Sequence, residues 1–285
     1  MLGVHSAHSD VVNLAASLYN RGKRRNARLN VFEAVILGLI QGLTEFLPVS
    51  SSGHLLLMQE FLGISSPGMM LEVVLHLGTL AAVCAFYWTR IVEIIKKPTP
   101  TLWLLVIATL PTVAAALLFG DVIDAAFGSV AFLPFAFLIT SVILCIGEAC
   151  ARYRQRNGTQ RKRANLSDAL VMGVAQAVAI VPGVSRSGAT VSSGLVSGLL
   201  RPEAARFSFL MSIPAILGSL VLTIKDAAEA GAASLPLIPL LIGAVVAAVS
   251  GFFAITIMLK VLQKYGLIPF AAYTALLGVV LLFIV

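Results

Sequence analysis

Charged residues are scarce in this sequence. Asp, Glu, Lys and Arg together make up 12% of its 285 residues, whereas hydrophobic residues make up 59% and the mean hydropathy is +0.97. Soluble domains have about 25% charged residues, so this composition excludes a soluble globular protein. It predicts a polytopic membrane protein whose apolar runs lie in the bilayer.

Cysteine and histidine are also rare. The chain has three cysteines, Cys84, Cys145 and Cys150, and four histidines. The cysteines lie in apolar stretches, their number is odd and their spacing matches no metal-binding pattern, which argues against a disulfide scaffold and a structural zinc site. We interpret them as inert packing residues.

Basic residues outnumber acidic ones and give the chain a net charge of +7. They cluster in short segments between apolar runs, and the densest cluster is at 152–163. Cytoplasmic loops of membrane proteins have this excess of Lys and Arg, so we interpret the charge as a topology signal. Nucleic acid is therefore not an expected partner.

The N-terminal segment is more polar than the rest of the chain. Residues 1–30 are predicted to form a polar tail, in which the basic cluster 21–28 precedes an apolar run as it would in a signal peptide. A small-residue cleavage site is missing, so we expect the segment to remain in the mature protein. The remainder, 31–285, is predicted to be a single membrane domain.

The sequence repeats itself with a shift of 135 residues. The string VILGLIQ at 35–41 aligns with LVMGVAQ at 170–176, and VSSSG at 49–53 aligns with VSRSG at 184–188, without a gap. We predict two copies of one unit, joined by a basic cytoplasmic loop. The copies occupy 31–149 and 166–285, and the loop occupies 150–165.

Each copy begins with an apolar helix that is broken by a polar segment rich in Ser and Gly. In the first copy, the apolar run after the break ends near residue 62 and reaches about 20 Å, short of the roughly 30 Å hydrocarbon core. A re-entrant hairpin of two helices fits this length, and the irregular break must line a cavity. Three full spans follow in each copy, at 69–88, 101–119 and 130–149, and at 207–224, 235–259 and 267–285.

Three spans are an odd number, so the second copy enters the bilayer from the face opposite to the first. The predicted fold is an all-α polytopic integral membrane protein with an inverted-topology repeat. Placing the basic loop in the cytoplasm places most of the 20 Lys and Arg residues there and both termini outside, with the cluster 21–28 as the exception. The first hairpin then opens to the outer face of the membrane.

Polar and ionisable residues are concentrated at the two breaks. A carboxylate in the membrane interior costs roughly 2.5–3.5 kcal/mol, so Glu45 is a candidate functional residue. Helix N-termini and the Arg186 guanidinium attract anions, and glycines let the backbone approach them, which together predict a phosphate site. The candidate binding residues are Gln41, Ser50, Gly53, Ser185, Ser187, Gly188 and Thr190.

The motifs QGLTEFLPVSSSGH at 41–54 and PGVSRSGAT at 182–190 resemble the two signature motifs of the bacterial undecaprenyl-pyrophosphate phosphatases of the bacitracin-resistance type. The resemblance extends through 71–79 and 207–210 and covers the chain from residue 31 to its end. It implies a multi-pass enzyme of the bacterial inner (plasma) membrane. This enzyme removes the terminal phosphate of undecaprenyl pyrophosphate and recycles the lipid carrier of cell-wall synthesis.

By position, the resemblance assigns catalytic roles to Glu45, Ser51, His54 and Arg186. The opening position of the first family motif accepts Glu or Gln, and with Gln41 this chain lacks the version with two carboxylates. The implied partners are a lipid pyrophosphate and the bilayer. The sequence leaves the assembly open between a monomer and a homodimer.

Our hypothesis for the reaction is that Ser51 attacks the terminal phosphorus while His54, on the same helical face, accepts its proton. Attack by His54 is the alternative. Arg186 and the helix N-termini stabilise the phosphoryl oxygens. Glu45, with the Gln41 carbonyl, holds a divalent cation, Mg or Ca, or acts as a base.

Other classes of function fit the residues less well. A phosphatidate-phosphatase-like mechanism needs a second histidine after the Ser-Arg element, and none follows His76. An intramembrane serine protease lacks its histidine base for the same reason. A polyprenyl-phosphate transporter or flippase would share the inverted-repeat site but has no evident use for Ser51, His54 and Glu45 together. Glu72 and His76, one turn apart in the next span, are further candidates for a role beside the site.

Overall fold

The computed structural model describes residues 29–64, 68–97, 99–127, 130–229 and 236–285. Almost all of the predicted tail, 1–28, lies outside these ranges. Within them the chain is helical, and one isolated bridge between Arg161 and Leu199 is the only strand-like pairing. The all-α fold predicted from composition is confirmed.

Eleven helices are present in the described residues. The first half of the chain forms α1 Val31–Phe46, α2 Ser51–Leu62, α3 Gly68–Phe86, α4 Trp88–Lys96, α5 Pro100–Phe127 and α6 Leu133–Arg156. The second half forms α7 Leu166–Val178, α8 Arg186–Ser197, α9 Arg201–Glu229, α10 Leu237–Tyr265 and α11 Ile268–Leu281. Helix α6 continues through part of the basic segment that the sequence assigned to the cytoplasmic loop.

The hairpin helices begin with equivalent caps in both repeats. Asn30 and Glu33 form a capping box at the start of α1, and Asn165 and Asp168, each 135 positions later, form one at the start of α7. In a capping box, each side chain accepts a hydrogen bond from the other residue's backbone N–H, which satisfies two free donors. Glu33 and Asp168 are different residues with the same capping role, so the structural repeat includes a position at which the two copies differ in sequence.

The second helix of each hairpin also starts and stops at equivalent positions. Ser50 caps α2 and Ser185 caps α8, each by accepting from the N–H of a glycine three residues on. Gly63 ends α2 and Gly198 ends α8, both in the left-handed conformation that glycine adopts without strain. The two breaks predicted from the sequence are thus confirmed as helix ends with matched caps.

Each hairpin packs against a long helix of the other repeat. Helix α1 packs against α10, where a Cβ on Gly38 would overlap the backbone carbonyl of Gly243. Helix α7 packs against α5, where a Cβ on Gly173 would overlap the carbonyl of Ala108. Both contacts join positions related by the shift of 135, and small residues allow the close approach. The repeats are interleaved, since each supplies the support for the hairpin of the other.

In the part of the chain that the structure describes, four helices are long and apolar enough to cross a membrane, namely Pro100–Gly120, Leu133–Arg156, Arg201–Val221 and Leu237–Tyr265. Helices α3 and α4 form a fifth candidate that is bent by 77°. The last helix, α11, has 14 residues, or about 21 Å, which is shorter than the span predicted at 267–285. Large apolar side chains are exposed along these helices, as expected for contact with lipid.

The hairpin helices are short. Helix α1 has 16 residues and α2 has 12, so they reach about 24 and 18 Å and neither matches the roughly 30 Å hydrocarbon core. The two helices contact each other across the break at 47–50. This geometry agrees with the re-entrant hairpin that the sequence predicts, and it places the polar break at the tip of the hairpin.

Candidate functional site

The tips of the two hairpins are in direct contact. The Ser187 hydroxyl donates to the backbone carbonyl of Leu47 at 3.0 Å, and the Gly183 N–H donates to the Ser52 hydroxyl at 3.3 Å. Both bonds join the first repeat to the second. The two breaks therefore meet, as a phosphate site built from the residues of both requires.

Glu45 lies at the centre of this contact, and its side chain is only 1% exposed. One carboxylate oxygen, Oε2, accepts from the Gln41 amide at 2.9 Å and from the Ser51 hydroxyl at 2.6 Å. The other, Oε1, accepts from the Arg186 guanidinium. Because a buried carboxylate is tolerated only when it is paired and hydrogen-bonded, this set of donors explains how Glu45 can occupy the membrane interior.

Arg186 connects the two repeats electrostatically. It is the first residue of α8, and its side chain is 22% exposed and reaches across the break to Glu45. A guanidinium has five N–H donors in a planar fork, so it can bind Glu45 and still donate to an anion at the exposed side. Three predicted catalytic residues, Glu45, Ser51 and Arg186, therefore form one connected cluster.

His54 has different partners from those that its spacing predicted. Its Nδ1 atom lies 2.6 Å from the Ser50 carbonyl oxygen, and its Nε2 atom lies 2.7 Å from the Tyr273 hydroxyl. Both ring nitrogens are engaged, and Ser51 donates to Glu45 instead of to His54. The expected Ser51–His54 pair is therefore wrong for this structure, because the backbone carbonyl of Ser50, one helical turn before His54, binds the imidazole.

Tyr273 is a site residue that the sequence reasoning missed. It lies on α11 and its ring stacks on His54 with centroids 5.7 Å apart and an angle of 11° between the planes. Phe137 contacts the same imidazole edge-to-face at 5.3 Å. A phenol hydroxyl within a strongly apolar helix was the available signal, but nothing in the sequence places it beside residue 54.

His76, on α3, also lies close to Glu45. Its Nε2 atom is 3.5 Å from Glu45 Oε2, and its Nδ1 atom is 2.6 Å from the backbone carbonyl of Glu72. The carbonyl can only accept, so Nδ1 holds a proton, and Nε2 holds one as well only when the ring is an imidazolium. Glu72 itself accepts from the Gln59 amide at 3.3 Å. Of the two candidates on α3, His76 is the one that contacts the cluster.

Ser50 has an unusual backbone conformation. Among the described residues it is the only non-glycine with a positive φ, at 70°. Such a conformation is strained for a residue with a side chain, and it occurs preferentially at functional sites. Its strained geometry turns the chain sharply between Glu45 and Ser51, which lets these two side chains meet.

The two predicted glycines lie in tight packing. A Cβ on Gly53 would come within 2.7 Å of the Phe137 ring and 3.1 Å of Gly183 Cα, so this glycine lets the hairpin tips approach. The Gly53 N–H donates to the Ser50 hydroxyl at 3.2 Å, and the Gly188 N–H donates to the Ser185 hydroxyl at 3.0 Å. These contacts hold the first turns of α2 and α8, and a direct role in binding substrate stays a prediction.

The polar residues of the second tip are buried and bound to one another. The Ser185 N–H donates to the Thr140 hydroxyl at 3.0 Å, and the Ser185 and Ser187 hydroxyls are 3.3 Å apart. Thr190 donates to the Arg186 carbonyl at 2.8 Å and lies 2.6 Å from the Ser208 hydroxyl. These bonds fix the start of α8, from which the Arg186 side chain projects.

The oxygen atoms near Glu45 allow a test of the predicted cation. Gln41 Oε1 is buried and has no hydrogen-bond partner, one turn from the Glu45 carboxylate. A group of three or more His, Cys, Asp or Glu side chains that could hold a metal is not found within the described ranges. Mg²⁺ sites often have one or two protein oxygens and complete their shell with water and substrate phosphates. The Gln41 oxygen and the Glu45 carboxylate are ligands of the type that such a cation takes, and its binding here stays a prediction.

Comparisons with a family model and with individual proteins point to the same family. Residues 34–280 match the family described as "Bacitracin resistance protein BacA". The chain is 45% identical to an undecaprenyl-diphosphatase of Carboxydothermus hydrogenoformans over 258 residues, which cover 89% of this chain and 97% of the relative. The undecaprenyl-diphosphatases of Halothermothrix orenii and Thermomicrobium roseum are 39% and 38% identical, over 89% and 90% of this chain and 98% and 99% of their own lengths.

Proposed function

The chain belongs to the bacitracin resistance protein BacA family, and from this we propose that it hydrolyses undecaprenyl diphosphate to undecaprenyl phosphate and inorganic phosphate. The observation on which the proposal rests is the cluster of Glu45, Ser51 and Arg186 at the contact between the hairpins. A hydroxyl that donates to a buried carboxylate, beside a guanidinium, is an arrangement for attack on a phosphoryl group.

Ser51 is the nucleophile in this proposal and Glu45 is its base. The Ser51 Oγ–H bond already points at Glu45 Oε2, 2.6 Å away. As Oγ attacks the terminal phosphorus, its proton passes to Glu45 and the bond from phosphorus to the bridging oxygen breaks. Undecaprenyl phosphate leaves, and the terminal phosphoryl group stays on Ser51. Attack by water then releases inorganic phosphate, and Glu45 returns the proton to Ser51.

Arg186 stabilises the charge that the transferred phosphoryl group develops. Its partly exposed guanidinium offers N–H donors beyond the one bound to Glu45. Removing a donor of this kind commonly lowers kcat by about 100-fold or more. In the resting site, Arg186 also compensates the negative charge of Glu45. The same side chain therefore joins the two repeats before the reaction and stabilises the phosphoryl group during it.

A divalent cation, Mg or Ca, would be held by Gln41 Oε1 and the Glu45 carboxylate. When bound, such an ion neutralises phosphate charge and orients the two phosphates of the substrate. This role is compatible with the Gln41 amide oxygen, which is buried and has no hydrogen-bond partner. It also explains why a glutamine, with one carbonyl oxygen, can occupy the opening position of the motif.

The chain is a multi-pass membrane protein, and we place its site toward the outer face of the bacterial plasma membrane. The support is the positive charge of the loops on the opposite side, including the segment that follows α6. In a Gly158→Cys variant, the introduced thiol should react only with reagents that cross the membrane. Labelling of that cysteine from outside by an impermeant reagent would reverse the orientation.

The direct test is phosphate release from undecaprenyl diphosphate by the purified protein in detergent, with and without a chelator. Ser51→Ala should lose at least about 1000-fold in kcat, whereas Ser219→Ala, an exposed serine on α9, should stay within about twofold of wild type. A folded wild-type protein that releases no phosphate would contradict the proposal and favour a carrier of the same lipid. Loss of activity with chelator and recovery with Mg²⁺ is expected if the cation is required.

A further inference from the structure

His54 is held on three sides by groups from different parts of the chain. The Ser50 carbonyl lies at Nδ1, the Phe137 ring lies edge-on at 5.3 Å, and the Tyr273 ring is stacked on the imidazole. Tyr273 is 46% exposed, so this face of the histidine is at the edge of the site. Such a number of contacts indicates that the orientation of the ring is specified.

The hydrogen bonds also specify where the proton of the ring is. A carbonyl oxygen only accepts, so His54 Nδ1 must donate to Ser50, and in the neutral ring Nε2 then has a free lone pair. The Tyr273 hydroxyl, 2.7 Å from Nε2, must be the donor in that bond. The Tyr273 side chain therefore matches one tautomer of His54 and opposes the other.

We propose that Tyr273 holds the His54 imidazole with Nε2 as a proton acceptor and relays a proton to it in the second step of the reaction. This inference rests on the proposed function. When water attacks the phosphorus of phospho-Ser51, one water proton passes to the Tyr273 hydroxyl oxygen while the Tyr273 O–H proton passes to His54 Nε2, and the Oγ–P bond breaks. His54 then releases that proton to solvent. Glu45 returns its proton to Ser51 Oγ, and inorganic phosphate leaves.

This assignment explains the division of hydrogen bonds in the site. Ser51 donates to Glu45, which serves the first step, while the two ring nitrogens of His54 are bound to Ser50 and Tyr273. Two bases with separate partners allow the second base to stay neutral while the first one is protonated. The second repeat thus supplies both Arg186 and the residue that orients the imidazole.

The test compares Tyr273→Phe with Tyr265→Phe. Each change removes one hydroxyl and keeps a ring, but Tyr265 lies at the end of α10, where its ring contacts Lys264. Tyr273→Phe should lower kcat about tenfold and leave KM within about twofold, since one hydrogen bond to a reacting group is lost and substrate contacts are kept. It should also raise the steady-state fraction of phospho-Ser51, because the second step is slowed.

A readout that does not depend on activity is the ¹⁵N spectrum of the histidine side chains. The chain has four histidines, and the His54 signals are identified by their loss in His54→Ala. The Nε2 resonance should be that of an unprotonated nitrogen and should move in Tyr273→Phe but not in Tyr265→Phe. If Tyr273→Phe does not fold, 3-fluorotyrosine at 273, a stronger donor of the same shape, should move the same resonance.

The proposal is overturned if the Nε2 resonance does not move, if kcat of Tyr273→Phe equals that of Tyr265→Phe, or if KM alone changes. The last result would make Tyr273 a substrate contact. A wild-type protein without phosphatase activity would contradict the proposed function, and the spectrum would still decide whether Tyr273 positions His54.

Discussion

The first hairpin, formed by α1 and α2, and the second, formed by α7 and α8, begin and end with equivalent caps but present different side chains at their tips. The pairs related by the shift of 135 are Glu45 and Ile180, Ser51 and Arg186, and His54 and Ala189. The first tip supplies the carboxylate, the hydroxyl and the imidazole, and the second supplies the cation. A duplicated scaffold has therefore produced a single asymmetric site, in which the fold is shared and the chemistry is local.

The glutamines at 41 and 176 show the same divergence. The Gln41 amide donates to Glu45, whereas the Gln176 amide donates to the Thr112 hydroxyl at 3.0 Å and so binds α7 to α5. Both have a buried Oε1 atom without a hydrogen-bond partner. One residue type at equivalent positions thus contacts the Glu45 carboxylate in one repeat and the hydroxyl of a supporting helix in the other.

The largest effect is expected from removing the cation that joins the two tips. Arg186→Ala should lower the free energy of unfolding by about 3–5 kcal/mol, because Glu45 would stay buried without its guanidinium partner. Activity should fall with it. Thermal unfolding in one detergent would measure the change, with Arg156→Ala, an exposed arginine at the end of α6, as the control. Equal stability of the two variants would mean that the ion pair does not hold the tips together.

A smaller and symmetric effect is expected at the glycines that pack against the opposite repeat. Gly38→Ala and Gly173→Ala should each destabilise the protein by about 1–3 kcal/mol, since the added methyl group meets a backbone carbonyl in both cases. Gly120→Ala is the control, because a Cβ there meets no atom within 4 Å. A large loss in one repeat and none in the other would contradict the interleaved packing.

The smallest effects are expected from replacing the two glutamines, one of which should change activity and the other only stability. Gln41→Ala should lower kcat about tenfold, since it removes one hydrogen bond to the carboxylate that we propose as the base. Gln176→Ala should leave kcat unchanged and lower only the stability, by about 1–2 kcal/mol. Steady-state kinetics and thermal unfolding of both variants measure the two effects. The same loss of kcat in both would argue against a site confined to the first tip and Arg186.

The repeat, the two breaks and their contact could be predicted from the sequence, because a shift of 135 aligns residues that each cap or interrupt a helix. The interleaving could not be predicted, since a repeat shows that Gly38 and Gly173 have equivalent neighbours but not which helix supplies them. Because a carboxylate in the membrane is costly, the sequence correctly indicated that Glu45 needs partners. The structure shows that its positively charged partner is Arg186.

The pairing of His54 illustrates a limit of helical spacing. Residues three apart share a face, which made His54 the expected base for Ser51. In the structure, the carbonyl of Ser50 and the hydroxyl of Tyr273 take both ring nitrogens. Spacing alone does not include backbone acceptors one turn away, and it contains nothing about a side chain 219 positions further along the chain.

The central claim is that Ser51, activated by Glu45 and faced by Arg186, takes the phosphoryl group. The most direct measurement is to quench the enzyme during turnover of undecaprenyl diphosphate labelled in its terminal phosphate, digest it and locate the label. We predict an acid-stable phosphate on Ser51 that is absent in Glu45→Gln. An acid-labile label on His54, or turnover without any label on the protein, would contradict this account.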